Sequence, residues 1–546
     1  MEPPRPIMVL GATGVFGSRV CRLLLMGGAA VVAVARDAER LDALAGDLAP
    51  LGAMQAAPAA LPEALPGLLL EHRPRVVIDT AGPFQESDHG HARLCLEHGI
   101  AYLDLSDGRA HVASIGELDA LARKAGVPVL SGVSTLCALS SAVIADFGKA
   151  FTSFDAIEIA VAPGNDAPRG PAVTRAVLTW VGRPVPVWDH DRQINLPGWS
   201  GLCRRTIGSL GKRWLAVCDV PDHTLLPDHT GARHVHVRAG MELGLIHLGL
   251  WLLSWLVRWR LMTSLLSLAP MLQHLAVVLR PFGSDTGGMV VELTGAGLDG
   301  RPLRRRWTLE ARQGDGPMTP AAPAAALALA MLKGETPPAG ARPCLNEIGL
   351  DAILGVLSPF AITTHTTEER PFPLYRHAMG AAFETMPEPV RAMHDRVTSY
   401  SASGRSSVVV AKNPIARLLS FLSVLPKSGE NVATTVTFTL QGSRERWHRR
   451  FGDFGRSSVL GWPADGDIWE RLGPLSGRAQ LVAREDGLDM VITGFRFLGL
   501  PLPRFLWLNA WGRERVDDAG RFAFDVGIGL PFGIGLVTYR GWLSID

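Results

Sequence analysis

The sequence predicts an α/β parallel sheet, followed by an α+β second domain and a mainly antiparallel β C-terminal domain. Three observations carry this. Over residues 1–140 short apolar runs alternate with helical patterns, the rhythm of a parallel sheet covered on both faces. Runs at 289–294 and 304–311 flank Asp299-Gly300, a hairpin signal in the middle of the chain. Beyond residue 373 come short alternating runs, cleanest at 436–440 and 521–526, which argue for an antiparallel sheet or half-barrel.

The first element is the apolar run 7–10, which drives into Gly11-Ala12-Thr13-Gly14-Val15-Phe16-Gly17 before a helical rhythm at 18–25. A strand, a tight glycine-spaced turn and a helix start are thus predicted at once. Unpaired N–H groups at a helix start, together with its dipole, attract phosphate. In that reading Gly11 allows the turn, Gly14 admits a pyrophosphate, and Gly17 lets the helix pack against the strand. Glycine triplets also serve ordinary turns. Here a second apolar strand, 31–35, completes a Rossmann-like βαβ unit of suitable length. At its end, where an NAD-binding chain would place a carboxylate, stands Arg36. A guanidinium pairs with phosphate and favours NADP over NAD, and Arg40 could assist from the next turn. The competing reading makes both arginines solvated surface charges.

The alternation continues with a helix near 38–49, a short strand and turn within 56–66, and a strand over 75–84 ended by Gly82-Pro83. A helix over 91–98 stops at Gly99, a strand spans 101–106, a helix 115–125 stops at Gly126, and a last strand covers 127–132. Ligands of such sheets bind at the carboxyl ends of the strands. Asp104, Ser106 and Asp107 lie at such an end and are the candidate catalytic residues; as loop caps they would do only structural work. Ser131-Gly132-Val133-Ser134-Thr135 ends the next strand, where it either lines the pocket or caps a helix.

The motif 11–17, then Ala35-Arg36, Ala81-Gly82-Pro83-Phe84, and Cys95-x-x-x-Gly99-x-x-Tyr102-x-Asp104 resemble the saccharopine dehydrogenase-like superfamily. That superfamily includes saccharopine reductases and trans-acting enoyl reductases of lipid synthesis. The resemblance is good over 5–140 and fades to pieces by about 345: Arg169-Gly170-Pro171-Ala172-Val173-Thr174, Val220-Pro221-Asp222 and 314–320. It implies NADP on 11–17 with Arg36 at the 2′-phosphate, and Ala81, Gly82, Pro83 and Phe84 beneath the nicotinamide. None of the four tyrosines (102, 375, 400, 539) has a lysine four residues on, so the Tyr-x-x-x-Lys device of short-chain reductases is missing. Any proton donor must be another group.

Residues 141–357 are expected to form a substrate or dimerisation domain, with a strand at 155–162 and an alanine-rich helix at 321–332 packing back on the first domain. Inside it, 241–279 is strongly apolar. Residues 243–257 carry no formal charge, Arg258 and Arg260 follow, and Trp251, Trp255 and Trp259 recur every four residues. A buried or dimer-forming helix pair, a helix lying on a membrane surface and, least favoured because 15 residues fall short of the usual length of about 20, a true span are all open. Asp219, Asp222, His223, Asp228, His229, His234 and His236 contain metal-ligand types, but Pro221 and Pro227 suggest an irregular loop, and no metal is expected.

Residues 358–372, threonine-rich and closed by proline, read as a linker to a 373–546 domain. After a helical opening at 378–394, Leu374-Tyr375-Arg376, Val390-Arg391-x-x-His394-Asp395, Trp447-x-Arg449-x-Phe451 and Tyr539-Arg540-Gly541-Trp542 resemble a domain of unknown function that recurs behind saccharopine dehydrogenase-like domains. His394 is either a general base or, more ordinarily, a cap or a surface ion pair with Asp395. The aromatic residues Phe438, Trp447, Phe451, Trp462, Phe495, Phe497, Phe505, Trp507 and Trp511 line a ligand cavity or fill a β core.

Bulk properties fit this picture. The 546 residues suffice for several domains, and a net charge of +2 gives no electrostatic case for nucleic acid. The six cysteines form no C-x-x-C pair, and no signal peptide precedes the first strand, so a reducing cytoplasm is expected. The Ala/Gly/Arg bias is that of a GC-rich bacterial genome. The expected function is an NADP-dependent oxidoreductase acting on a small, apolar or lipid-like molecule, with possible homodimer formation. The alternatives are a non-enzymatic NADP sensor or scaffold and a C-terminal domain that is a separate enzyme.

Overall fold

The computed structural model describes residues 5–82, 84, 88–167, 171–189, 191–371, 373–396, 400–421, 425–441, 444–462 and 467–546. It divides into two compact units, 1–369 and 370–546.

The first unit opens with strands β1 (Ile7–Leu10), β2 (Val31–Ala35), β3 (Met54–Pro58), β4 (Val76–Asp79), β5 (Ala101–Asp104) and β6 (Pro128–Ser131). Helices α1 (Gly17–Met26), α2 (Ala38–Leu48), α3 (Leu65–His72), α4 (Gly90–Glu97), α5 (Arg109–Ser114), α6 (Asp119–Ala125) and α7 (Ala138–Gly148) follow them in turn. β1, β2, β4, β5 and β6 are buried along their whole length, as a sheet covered on both faces requires.

The chain then builds a second, mixed sheet. Its elements are β7 (Phe151–Ala162), α8 (Pro171–Trp180), β8 (Pro184–Trp188), β9 (Gln193–Pro197), β10 (Cys203–Thr206), β11 (Lys212–Val217), α9 (Asp222–Thr230), β12 (His234–Met241), α10 (Gly244–Arg258), α11 (Ala269–Val278), β13 (Gly287–Gly297) and β14 (Pro302–Ala311). β7 lies between β12, parallel to it, and β13, antiparallel to it. β13 and β14 are the expected hairpin around Asp299-Gly300. Next, α12 (Met318–Leu332) packs on α1, and β15 (Gly340–Pro343) joins the first sheet beside β6, giving the all-parallel order β15-β6-β5-β4-β1-β2-β3. The first sheet therefore takes its edge strand from far beyond residue 140.

Helix α13 (Leu350–Leu357) leads to β16 (Ile362–Glu369), which pairs with β14 at the edge of the second sheet. This corrects the reading of 358–372 as a linker. All but the first residue of β16 is exposed, so no apolar alternation marks it. Its place is set instead by β-branched threonines and by Glu368 and Glu369, which face Arg305 and Arg304 across the ladder at 2.7 and 2.9 Å. A second correction concerns 221–227, which forms the start of α9 rather than a loop. Pro221 precedes the first turn, where no N–H is needed, and the burial of His223, Leu226 and Pro227 offsets the bond that Pro227 removes.

The second unit begins with α14 (Leu374–Met379) and α15 (Glu388–His394). Then come β17 (Tyr400–Val410), α16 (Pro414–Phe421), β18 (Gly429–Gln441), β19 (Arg444–Phe451), β20 (Phe454–Gly461), β21 (Ile468–Leu472), β22 (Leu475–Arg484), β23 (Gly487–Phe497), β24 (Leu500–Pro501), β25 (Asn509–Val516), β26 (Phe522–Leu530) and β27 (Ile534–Ile545). The strands are antiparallel in the order β22-β21-β20-β19-β18-β17-β27-β26-β25-β23-β24, and β22 also pairs with β23. That last pairing closes the sheet into a barrel and removes all but the short β24 edge. Tyr375, Phe383, Val390 and Met393 from the opening helices pack into one core with Phe438, Trp447 and Leu488.

Candidate functional site

β1 enters its turn through Gly11, whose φ of +73° only glycine adopts freely. A Cβ there would lie 2.9 Å from the Ala81 nitrogen, so the turns after β1 and β4 touch through this glycine. A Cβ on Gly17 would lie 2.3 Å from the Gly11 carbonyl, which shows how closely α1 approaches the strand end. Gly14 is exposed and donates to the Gly11 oxygen at 2.9 Å. No side chain caps α1, and its first turn holds no acidic residue. The result is a bare, positively polarised helix start behind an exposed glycine: a cradle that suits a pyrophosphate.

Arg36 is exposed at the end of β2. Asp37 accepts from the Arg40 backbone nitrogen at 3.1 Å and so caps α2. Arg40 Nη2 donates to the Thr13 carbonyl at 3.0 Å and ties α2 to the loop. Thr13 is partly buried, Ala12 is buried and bonded to the Val34 oxygen at 3.0 Å, and Val15 and Phe16 are half-buried. Thus the loop 11–17 is tied to the end of β2 and the start of α2, where Arg36 stands.

The turn after β4 is set by Asp79. Its Oδ1 accepts from the Ala81 nitrogen at 2.8 Å, and its Oδ2 accepts from Tyr102 Oη at 3.0 Å and from His91 Nδ1 at 2.7 Å. Its carboxylate raises the His91 pKa. Gly82 is exposed and Phe84 half-buried. Pro83 lies outside the described residues, as do Arg169 and Gly170.

At the end of β5, Asp104 is fully buried. Its Oδ1 accepts from Ser131 Oγ at 2.8 Å, from the Ser106 nitrogen at 3.0 Å and from the Gly132 nitrogen at 3.1 Å. Its Oδ2 is buried with no hydrogen-bond partner, and burial pushes the carboxyl pKa up to about 7. Ser106 is buried and accepts from the Gly108 nitrogen at 3.2 Å. Asp107 is exposed. Of the three sequence candidates, Asp104 joins a titratable cluster.

That cluster contains two histidines the sequence reading passed over. The His111 ring lies 4.1 Å from the His89 ring and 5.4 Å from Phe84, and its Nδ1 is 3.5 Å from Ser131 Oγ. Burial lowers His111 to about 4 and lowers His89 also, so both are neutral at ordinary pH. His89 Nε2 bonds Ser114 Oγ at 2.9 Å, while Nδ1 is buried without a partner. His89 has φ +63°. The signal that could have found this pair is positional: each follows the carboxyl end of a parallel strand. Ser134 Oγ donates to the Pro320 carbonyl at 3.2 Å and Arg109 bonds Asp219 at 2.8 Å, so the second sheet's part of the chain closes against this edge.

The histidines and aspartates over 219–236, for which no metal is expected, go to separate partners. Asp219 pairs with Arg109, and Asp222 accepts from the Cys137 nitrogen at 2.9 Å and Ser140 Oγ at 2.5 Å. A different trio converges: His234 Nδ1 and His236 Nε2 stand 2.7 and 3.2 Å from Asp189 Oδ1. Arg238 Nη2 lies 3.3 Å from the other His236 nitrogen, and a guanidinium only donates. The His236 proton therefore sits on Nε2, facing Asp189, and the trio reads as a hydrogen-bonded network.

In the second unit His394 turns inward, correcting the reading as a cap or surface pair. Its Nε2 is 2.7 Å from Glu514 Oε2, both side chains are buried, and Tyr375 stacks on the ring at 3.8 Å. Asp395 pairs with Arg376 instead. Phe438, Trp447, Phe451 and Phe495 fill the β core, whereas Phe497 and Phe505 are exposed.

A glycine cradle, an uncapped helix start and a crossover beside β1 define a dinucleotide-binding oxidoreductase fold. Residues 7–130 match the family described as Saccharopine dehydrogenase NADP binding domain, and residues 386–543 match Domain of unknown function (DUF4166). Similar solved structures include apo saccharopine dehydrogenase (L-Glu forming) from Saccharomyces cerevisiae, at 15% identity over 66% of this chain and 100% of that one, TM-score 0.48. Amine dehydrogenase from Mycobacterium smegmatis is similar at 14% identity over 63% and 96%, TM-score 0.34. The WlbA dehydrogenase from Thermus thermophilus, in complex with NAD and alpha-ketoglutarate, is similar at 12% identity over 64% and 94%, TM-score 0.30. No curated protein matches the chain.

Proposed function

We propose that the chain is an NADP-dependent oxidoreductase whose substrate is apolar or lipid-like. One observation carries the cofactor reading: the exposed guanidinium of Arg36 stands at the end of β2, beside the cradle, where an NAD site would hold a carboxylate. The residues fit the cofactor. Gly14 and Gly82 leave exposed backbone on either side of the Gly11–Ala81 contact, where larger side chains would intrude. Bound NADP would supply or accept a hydride. The chain's own part is to hold the phosphates on residues 11–17, to seat Arg36 at the 2′-phosphate, and to place the Ser131–Asp104 pair and His111 at the edge where a substrate proton must move. Ser131 Oγ donates to a carboxyl whose pKa near 7 lets it hold or release a proton at neutral pH. The apolar α10–α11 segment, carried by the part of the chain that follows the dinucleotide-binding strands, supports the substrate class.

The test is titration of the whole protein with NADPH and NADH, followed by nicotinamide absorbance in the presence of lipid extract. Tighter NADPH binding and oxidation by an extract component are expected. No binding of either nucleotide would overturn the reading. Stable binding without turnover would favour a sensor, a second reading that the full burial of Asp104 and Ser106 supports.

A further inference from the structure

We propose that the outer face of α10 and α11 seats on an anionic lipid bilayer surface, with the Arg258 guanidinium meeting a lipid phosphate. α10 buries one stripe, His247, Leu250, Ser254 and Val257, and leaves Leu245 and Leu252 74% and 64% exposed. α11 buries no residue at all. Among the described residues, ten of the fifteen exposed large apolar side chains of the first unit lie between Leu245 and Phe282. An exposed apolar patch of this concentration marks an interaction site.

Charge chooses the occupant. From residue 243 to 284 there is no Asp or Glu, while Arg258, Arg260 and Arg280 are present. Arg280 is committed to Asp166. Arg258 is not: its Nε and Nη2 are shielded from water with no acceptor, and the guanidinium lies 4.6 Å over the Trp255 ring. Two of its three nitrogens have lost water without gaining a carboxylate, which lowers its pKa and leaves the half-buried guanidinium to take an anion. Arg260 is exposed, in a left-handed turn with φ +59°. Trp251, Trp255 and Trp259 step along α10 with ring centroids 6.1 and 5.5 Å apart, and Trp259 is 65% exposed. Amphipathic rings beside arginines on an apolar face suit the headgroup boundary.

The alternatives fit less well. α10 has 15 residues, about 22 Å of helix against a hydrocarbon core of about 30 Å, and no helix among the described residues is long and apolar enough to cross a membrane. A second copy docking through the same face about a two-fold axis would bring Arg258 and Arg260 to helices that carry no Asp or Glu of their own. A phosphate in the bilayer plane supplies the anion while acyl chains cover the leucines.

The full chain should cosediment with vesicles of phosphatidylcholine plus phosphatidylglycerol and much less with phosphatidylcholine alone. Added salt should weaken the binding, and inorganic phosphate at matched ionic strength should compete no better than chloride. Leu252→Glu and Val277→Glu, at exposed positions, should abolish it. Arg258→Ala and Arg260→Glu should each cost about fivefold or more in affinity for the anionic vesicles, as expected of about 1 kcal/mol per arginine. NADPH binding and thermal midpoint should not change in these variants, so this surface and the nicotinamide reading fail separately. Equal affinity for both vesicles, wild-type affinity in both arginine variants, or a dimer that Leu252→Glu dissociates would overturn the proposal.

Discussion

Alanine at Gly17 and at Gly14 should separate packing from ligand binding in the same loop. At position 17 the new methyl would stand 2.3 Å from the Gly11 oxygen, 2.7 Å from Thr80 Oγ1 and 2.9 Å from Ala12 Cα. Two of those three atoms are backbone in the turn itself, so α1 must back away from β1. Overpacking of this kind costs about 1–3 kcal/mol. At position 14 the methyl meets only the Gly11 oxygen, at 3.1 Å, on an exposed backbone without positive φ. Folding should hardly notice it, since removing a glycine also stiffens the unfolded chain by about 0.4–1 kcal/mol. A pyrophosphate lying against that backbone would be pushed off. A lost phosphate contact of about 1.4–3 kcal/mol corresponds to about 10- to 150-fold weaker NADPH binding. Thermal unfolding and fluorescence titration with NADPH read the two effects independently. Gly17→Ala should lower the midpoint; Gly14→Ala should keep it and lose affinity. Wild-type NADPH affinity in Gly14→Ala would refute the cradle as the phosphate site.

Three further outcomes follow from side chains described above. Arg36→Asp should invert the order of NADPH and NADH affinities in equilibrium titration, with unchanged thermal stability because the side chain is exposed. Asp104 has its pKa raised by burial from 3.8 to about 7, so the stability its protonated form contributes is complete below the unfolded pKa and lost as pH rises through about 7. Asp104→Asn keeps an acceptor for Ser131 and Gly132 but cannot ionise. Its stability relative to wild type should therefore grow between pH 4 and 8, by at most about 4 kcal/mol, and an offset independent of pH in denaturation curves would contradict this. Glu514→Ala should destabilise the C-terminal unit by about 3–5 kcal/mol, because His394 would stay buried without its partner. Adding His394→Ala should cost little more, and additive losses in a double-mutant cycle would show the two side chains to be uncoupled.

What could be read before folding was whatever depends on neighbours in the chain. Glycine spacing, the apolar β1 and β2, and the arginine that ends β2 lie within 36 residues, and each constrains the next. The hairpin around Asp299-Gly300 was equally local. β16 was missed because an exposed edge strand carries no burial pattern; cross-strand arginine–glutamate pairs more than 60 residues apart place it. α9 was missed because proline is read against helix, while burial decided otherwise. Barrel closure depends on β22 meeting β23 with β25 on its other side, which no single run of residues encodes. His394 showed its type but not its partner, which lies 120 residues away.

The same distinction explains why the proposed phosphate cradle was legible and the proposed chemical cluster was not. The cradle is backbone geometry after one strand. The Asp104, Ser131, His89 and His111 cluster gathers segments that follow β4 and β5 with the end of β6, and only the order β6-β5-β4-β1 sets them side by side. Two buried polar atoms there, Asp104 Oδ2 and His89 Nδ1, have no partner. Each such atom costs about 1–3 kcal/mol. Structural duty does not require that cost, since Asp104 Oδ1 already accepts the three hydrogen bonds that hold the turns. Two unpartnered polar atoms at the carboxyl edge of this sheet support the proposal that substrate chemistry takes place there.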